Sequence, residues 1–248
     1  MKNATSFGKQ ASTYAKGRPG YPDDLYAWIA ENSPKRDLVW DVGTGSGQAA
    51  RGLTAHFDHV HATDLSTEQI EASMPHPQIF YRATPAHLSG LDENAASAVT
   101  VATAVHWFAD SNFWNEVRRV GTNHAIFCAW TYKLPRSSRQ VQTEFLAPLY
   151  EMIDPYWAEG NRICMAGYSA ENLNCPLQIL QAPVFEDERV WKAQQLVDFV
   201  NSWSAHFRAR EDGLKSVLDD LSNAFLKLHG EKDISLSMPL SVLAARVS

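Results

Sequence analysis

The chain has 248 residues, 45% hydrophobic and 11% aromatic, the size of one α/β domain with a sizeable core. Its 22 basic and 28 acidic residues leave a formal net charge of −6, a poor match to a partner held mainly through a phosphate backbone. Three cysteines, Cys128, Cys164 and Cys175, with no C-x-x-C pair, argue against a disulfide framework or structural zinc and fit a reduced, cytoplasmic setting.

Residues 1–20 are polar and lack an apolar signal core, and no stretch approaches the roughly 20 apolar residues of a membrane span. Phe7, Ala11, Tyr14 and Arg18 share one helical face, and Pro19 and Pro22 then force a turn. Asp23 or Asp24 is expected to cap a helix carrying Leu25, Trp28 and Ile29 that ends before Pro34. Leu38 to Val42 is a short apolar run, read as a buried strand, and Asp41 lies at its end. A glycine turn follows, Gly43-Thr44-Gly45-Ser46-Gly47-Gln48, and Ala49, Ala50, Leu53 and Ala55 continue at helical spacing. Such a strand–loop–helix unit places glycines where backbone must approach a ligand closely. The spacing is G-x-G-x-G, with Gln48 where a dinucleotide fingerprint would put its third glycine. A carboxylate at position 41 would repel a pyrophosphate and attract a ligand carrying an ammonium and a sulfonium.

At these residues the chain resembles the class I S-adenosylmethionine (SAM) methyltransferases, whose first motif has this acid and this glycine spacing. The segment from Phe7 to Pro22 also resembles the front of the subgroup that includes trans-aconitate methyltransferases. The resemblance implies a doubly wound, seven-stranded, mostly parallel α/β sheet, a single domain over residues 1–248. Residues 1–34 would form an N-terminal lid, 35–132 the SAM-binding core, 133–184 an insertion covering the substrate, and 185–248 C-terminal helices and an antiparallel strand pair. It implies Arg18 near the methionyl carboxylate; a packing arm is the alternative for that segment.

Val60 to Ser66 reads as a second strand, with Asp64 lying 17 residues beyond Gly47, where an acid accepts hydrogen bonds from both ribose hydroxyls. Ser66 can cap the next helix, which frees Asp64 for that task. Gln78 to Arg82 is a short third strand, followed by a loop in which the family has an alanine and then an acid; here these are Ala86 and His87. Ala98 to Ala104 is a fourth strand, apolar enough to be buried on both faces, running into His106 and Trp107. Ligands in open α/β sheets bind beyond the carboxyl ends of strands, which puts His106 and Trp107 beside the transferred methyl. A helix over Ser111 to Val120 and a strand over His124 to Trp130 come next. A helix near Arg139 to Ile153, a strand over Phe185 to Trp191, helices near Ala193 to Trp203 and Glu211 to His229, and a strand over Ile234 to Val247 bent at Pro239 complete the chain. The last two strands are expected to close the main sheet as an antiparallel pair.

By this reading SAM is the cofactor and S-adenosylhomocysteine the product. Asp41, Gly43, Thr44, Gly45 and Gln48 floor the methionine end. Asp64 and Leu65 hold the ribose and flank adenine with Ala86, and Ala102 and Thr103 line the sulfonium side. Tyr14, Tyr21, His106, Trp107, Trp130 and Arg136 face the substrate. His106 is either a general base or a group that shapes the pocket. Arg136, Arg139 and Arg162 lie in the presumed cover, as a carboxylate clamp or as solvated surface. His56, His59 and His61 lack the partners of a metal site, and no metal is expected. The expected activity is methylation of a small molecule at oxygen, a carboxylate among the options, with neither nucleic acid nor membrane as partner and a monomer or homodimer as the assembly. The alternatives are a non-catalytic SAM-binding regulatory subunit, methylation of RNA or protein, and a nicotinamide-dependent dehydrogenase.

Overall fold

The computed structural model describes residues 20–247. Among them the first helix, α1 (Asp23–Glu31), starts after Pro22, whose fixed φ suits an entry position. Neither Asp23 nor Asp24 caps it: both lie in its first turn, where their charge favours the positive end of the helix dipole. Then come β1 (Leu38–Val42), α2 (Gln48–Leu53), β2 (His59–Asp64), α3 (Thr67–Glu71), β3 (Ile79–Ala83), β4 (Ala96–Ala102), a 3₁₀ turn (Val105–Trp107), α4 (Ser111–Val120) and β5 (Gly121–Tyr132). The Ser66 hydroxyl caps α3 by accepting from Gln69 N, and Asp110 caps α4 by accepting from Phe113 N at 2.9 Å.

The expected helix over residues 139–153 is continuous but not uniform. It runs from α5 (Arg139–Val141) through a π-helical turn (Gln142–Leu146) into α6 (Ala147–Ile153). Pro148 has no N–H, and its ring would press on the carbonyl of Glu144, so the helix widens just ahead of it. A 3₁₀ turn (Asp154–Tyr156), α7 (Glu159–Ala166), β7 (Gln178–Leu180), β8 (Glu186–Lys192), α8 (Ala193–Asn201), α9 (Ser204–Ala209), α10 (Lys215–His229) and β9 (Asp233–Arg246) follow, with β6 (Arg136–Ser137) lying just after β5. The expected helix from Glu211 begins only at Lys215, because Gly213 turns the chain at φ +98°.

The main sheet has the order β3-β2-β1-β4-β5-β9-β7; β1 to β5 are parallel and β9 runs against β5. This is a Rossmann-like, doubly wound α/β sheet of seven strands. Contrary to expectation, the last two strands do not close the main sheet together. β8 pairs with β9, as Glu186↔Pro239 through Lys192↔Asp233, but that pairing lies in a second sheet shared with β6. β7 pairs with β9 in the main sheet, through Leu180↔Ala244. Proline offers no ladder donor and bends the strand, so β9 is two strands end to end. Residues before Pro239 serve the second sheet, and residues after it serve the main sheet.

The strand periodicity of two divides the core. Trp40, Val99 and Phe127 pack under α4 with Phe113 and Trp114, whereas Val39, Ala98 and Ile126 pack against α1 and α2 with Leu25, Ile29 and Leu53. A third cluster joins α5, α6, α8, α9 and α10 to Ile234, Leu236 and Met238 of β9, while α7 packs on the first cluster through Cys164 and Ile163. Among the described residues, no helix is long and apolar enough to cross a membrane.

Candidate functional site

At the carboxyl end of β1, Asp41 is fully buried. Thr44 Oγ1 donates to its Oδ2 at 2.6 Å and Thr100 Oγ1 to its Oδ1 at 2.9 Å. Burial raises this carboxyl to about 6; the two hydroxyls oppose the rise and the neighbouring Asp64 adds to it. Among the described residues no cation pairs with it, so the site holds a buried acid suited to a positively charged ligand.

The loop after Asp41 is built on positive φ, +67° at Gly43, +56° at Gly45 and +85° at Gly47. The three glycines differ in what they face. A methyl on Gly43 would come within 2.7 Å of Ala104 Cβ, and one on Gly47 would strike the ring of Tyr81. Beside Gly45, among the described residues, only Gln69 Oε1 lies within reach, at 3.9 Å. Gly43 and Gly47 are therefore demanded by the protein's own packing, and Gly45 leaves open a cradle that a side chain would fill. Gln48, the first residue of α2, is half-buried beside this loop.

Asp64 ends β2. Its Oδ2 accepts from Gly45 N at 2.8 Å and its Oδ1 from Ser66 N at 2.9 Å. Burial raises its pKa, and these backbone donors counter the rise. Ser66 does cap α3, but Asp64 is tied down all the same; each oxygen keeps a further lone pair for a hydroxyl donor. Leu65 beside it is 62% exposed. The loop carrying Ala86 is anchored to Asp64 by Thr84 N→Asp64 O at 2.8 Å, and within it His87 is exposed.

The other wall follows β4. Ala102 is half-buried, and Thr103 has φ +53° and donates its N–H to Trp130 O at 2.7 Å. A β-branched residue in the left-handed region is strained, and such strain persists where the surroundings over-determine it. Thr103 Oγ1 also lies 3.2 Å from Tyr21 Oη, whose ring stacks on Tyr132. Trp130 is fully buried beneath Tyr21, edge-on at 5.4 Å, as a floor to the aromatic wall. Trp107 leans on α7, where a side chain at Gly160 would come within 2.7 Å of the indole.

His106 meets two residues that the motifs did not single out. Tyr168 Oη lies 2.7 Å from its Nδ1, and Cys164 Sγ lies 3.0 Å from the same nitrogen and 3.5 Å from Nε2. Burial lowers the imidazole to about 4. Arg136 is exposed on β6, and no hydrogen bond among the described residues joins it to this wall. Arg162 bonds the Asp154 carbonyl, and Arg139 is exposed. Tyr14 and Arg18 lie outside the described residues. Of the three clustered histidines, His56 Nε2 bonds Asp23, His61 Nε2 bonds Ser89 O, and His59 is exposed.

Residues 40–129 match the family described as a methyltransferase domain. A solved structure of a candidate type II methyltransferase from Anaeromyxobacter dehalogenans is 31% identical, with a TM-score of 0.86, over 93% of this chain and 98% of that one. A candidate methyltransferase of Dictyostelium discoideum is 26% identical over 249 aligned residues, 97% of this chain and 94% of its own length. An uncharacterised methyltransferase of Mycobacterium tuberculosis is 33% identical over 116 residues, 46% of this chain and 47% of its own. The glycine cradle over a buried Asp41, the sheet order and these likenesses agree: the chain belongs to the class I SAM-dependent methyltransferases, in the methyltransferase type 11 group, and is an enzyme that takes its methyl group from SAM.

Proposed function

We propose that the enzyme methylates a small molecule at oxygen. The observation that carries this reading is the aromatic wall on the acceptor side: the turn bearing His106 and the partly exposed Trp107 packs against α7, and Tyr21 stacks on Tyr132 beside Thr103. An aromatic wall fixes the line of approach of a small acceptor, which in-line displacement requires.

On the cofactor side, Asp41 supplies the negative charge beneath the cation, and Gly43, Thr44, Gly45 and Gln48 floor its methionine end. Asp64 takes the ribose hydroxyls, Leu65 and Ala86 flank the adenine, and Ala102 and Thr103 present backbone to the sulfur. When bound, SAM supplies an electrophilic methyl group and a sulfonium leaving group. Tyr21, His106 and Trp107 then orient the acceptor. The negative net charge and the absence of a basic run support a small acceptor over RNA.

The test is incubation with methyl-labelled SAM and a metabolite extract, beside parallel arms with total RNA and with total protein. Label in a small organic product, released by mild base if it is an ester, is the expected result. Label confined to the RNA or protein arm would overturn the reading.

A further inference from the structure

We propose that Tyr168 fixes His106 in the tautomer protonated at Nε2, so that the imidazole meets the methyl acceptor as a hydrogen-bond donor and the acceptor is a carboxylate, already ionised when it binds. This deepens the small-molecule O-methylation proposed above and rests on it.

The tautomer follows from which partner is the better donor. Tyr168 is 6% exposed, and burial holds its hydroxyl well above its ordinary pKa, so it is a phenol with one proton to give. His106 is a neutral imidazole with one N–H and one bare nitrogen. A phenol is a far stronger acid than a neutral imidazole N–H, and an imidazole nitrogen is a far stronger base than a phenol oxygen. The 2.7 Å contact is therefore O–H to Nδ1, with Nδ1 accepting. Cys164 Sγ, 3.0 Å from Nδ1 and 3.5 Å from Nε2, is almost equally far from both nitrogens; it lies over the ring and in line with neither, so Tyr168 is the in-plane partner of Nδ1. The ring proton is left on Nε2, whose N–H points away from the thiol and meets no in-line acceptor among the described residues. Trp107 packs against the other side of the imidazole, 4.6 Å between ring centroids.

A nitrogen that already carries its proton cannot take one from an alcohol or an amine. It can hold an oxygen that is anionic from the start. With a carboxylate the step balances without a base: a carboxylate oxygen forms the new O–CH₃ bond as the carbon–sulfur bond breaks, and that bond's electron pair stays on sulfur. The anion becomes a neutral ester, the sulfonium a neutral thioether, and no proton moves. Tyr168 is then a positioning residue, acting through the imidazole.

The test begins on the ligand-free protein labelled with ¹⁵N-histidine. His106 is expected to show a bare, acceptor-type Nδ1 and a protonated Nε2; Tyr168→Phe is expected to mix the two tautomers, and Cys164→Ala to leave the pattern in place. A protonated Nδ1 in the unaltered protein overturns the proposal. In the second arm, aliphatic and aromatic acids and their matching alcohols and amines are offered with labelled SAM. Methyl esters should form, and His106→Gln, whose amide N–H stands where Nε2–H stood, should keep kcat within about tenfold, whereas His106→Ala should lose about a hundredfold or more. Ethers or N-methyl products formed while the matching acids stay unreacted, or a Gln variant as inactive as the Ala variant, would also sink it. Because the first arm needs no substrate, a wrong tautomer defeats this inference alone, whereas transfer to no acid, alcohol or amine defeats the small-molecule reading beneath it as well.

Discussion

A carboxylate taken out of water drifts toward its protonated form unless a cation sits beside it. Asp41 has two threonine hydroxyls in that place, and its value near 6 lies above the ordinary 3.8. Its contribution to stability is therefore fully present below pH 3.8 and is lost as the pH rises through 6, at a cost of about 3 kcal/mol by neutral pH. Asp41→Asn should remove that dependence, so ligand-free variant and wild type should diverge in unfolding free energy between about pH 4 and 7, the variant becoming the more stable. Binding a cation favours the ionised form. Wild-type affinity for SAM should thus rise about tenfold from about pH 5 to 7 with proton release, and the variant should bind weakly with no such slope. Calorimetry in buffers of different ionisation heat reads both quantities; a flat wild-type profile would count against the role of Asp41.

The glycines give a second prediction at the same scale. Gly45→Ala meets no clash among the described residues, so only its left-handed φ opposes it; it should cost the fold about 1 kcal/mol while lowering SAM affinity more than about tenfold. Gly47→Ala meets Tyr81 and should cost about 2 kcal/mol or more, read as a fall in the urea midpoint. Equal losses of stability at both positions would mean that Gly45 does not open onto a ligand. These residues were legible because their signal is local: an acid, a tight glycine spacing and a second acid one strand later. Tyr168 and Cys164 were not, because they lie 62 and 58 residues from His106 and only folding brings them to its nitrogen.

Elements were legible where a hydrophobic period or a cap wrote them. α4 matches its expected range, with Asp110 as its cap, and β1 stands where its apolar run placed it. β7 has three residues, none fully buried, so it carries no alternation to read. β8 does alternate at its start, but alternation reports a half-buried strand without saying which sheet receives it. α7 shows what an unread element contributes. Its Gly160 gives Trp107 a place to lie, and its Cys164 touches His106. Gly160→Val should push the indole away. The expected result is an acceptor KM raised about tenfold with SAM affinity and thermal midpoint nearly unchanged, measured by steady-state kinetics beside calorimetry. A matching loss of SAM affinity would place α7 over the cofactor instead of the acceptor.

Across the whole molecule, β9 carries the connection between the α/β sheet and the helical lobe. Residues 240–246 pair with β5, while Ile234, Leu236 and Met238 enter the core formed by α5, α6, α8, α9 and α10. Lys133 N→Pro239 O at 2.9 Å and Leu240 N→Phe185 O at 3.0 Å fasten the bend on both sides. A strand shared in this way makes strain in one lobe felt in the other, since losing register before Pro239 loosens the register after it. Met238 is fully buried on the helical side, so Met238→Ala should cost about 2–4 kcal/mol. If the lobes unfold as one unit, the urea midpoint should fall by about 1 M, identically by far-ultraviolet circular dichroism and by loss of SAM binding. Were the lobes independent, the same substitution would shift part of the helical signal and leave SAM binding at its wild-type midpoint. The substitution lies outside the glycine loop and the His106 wall, so a common shift in both signals reports coupling through β9 and not damage to the site.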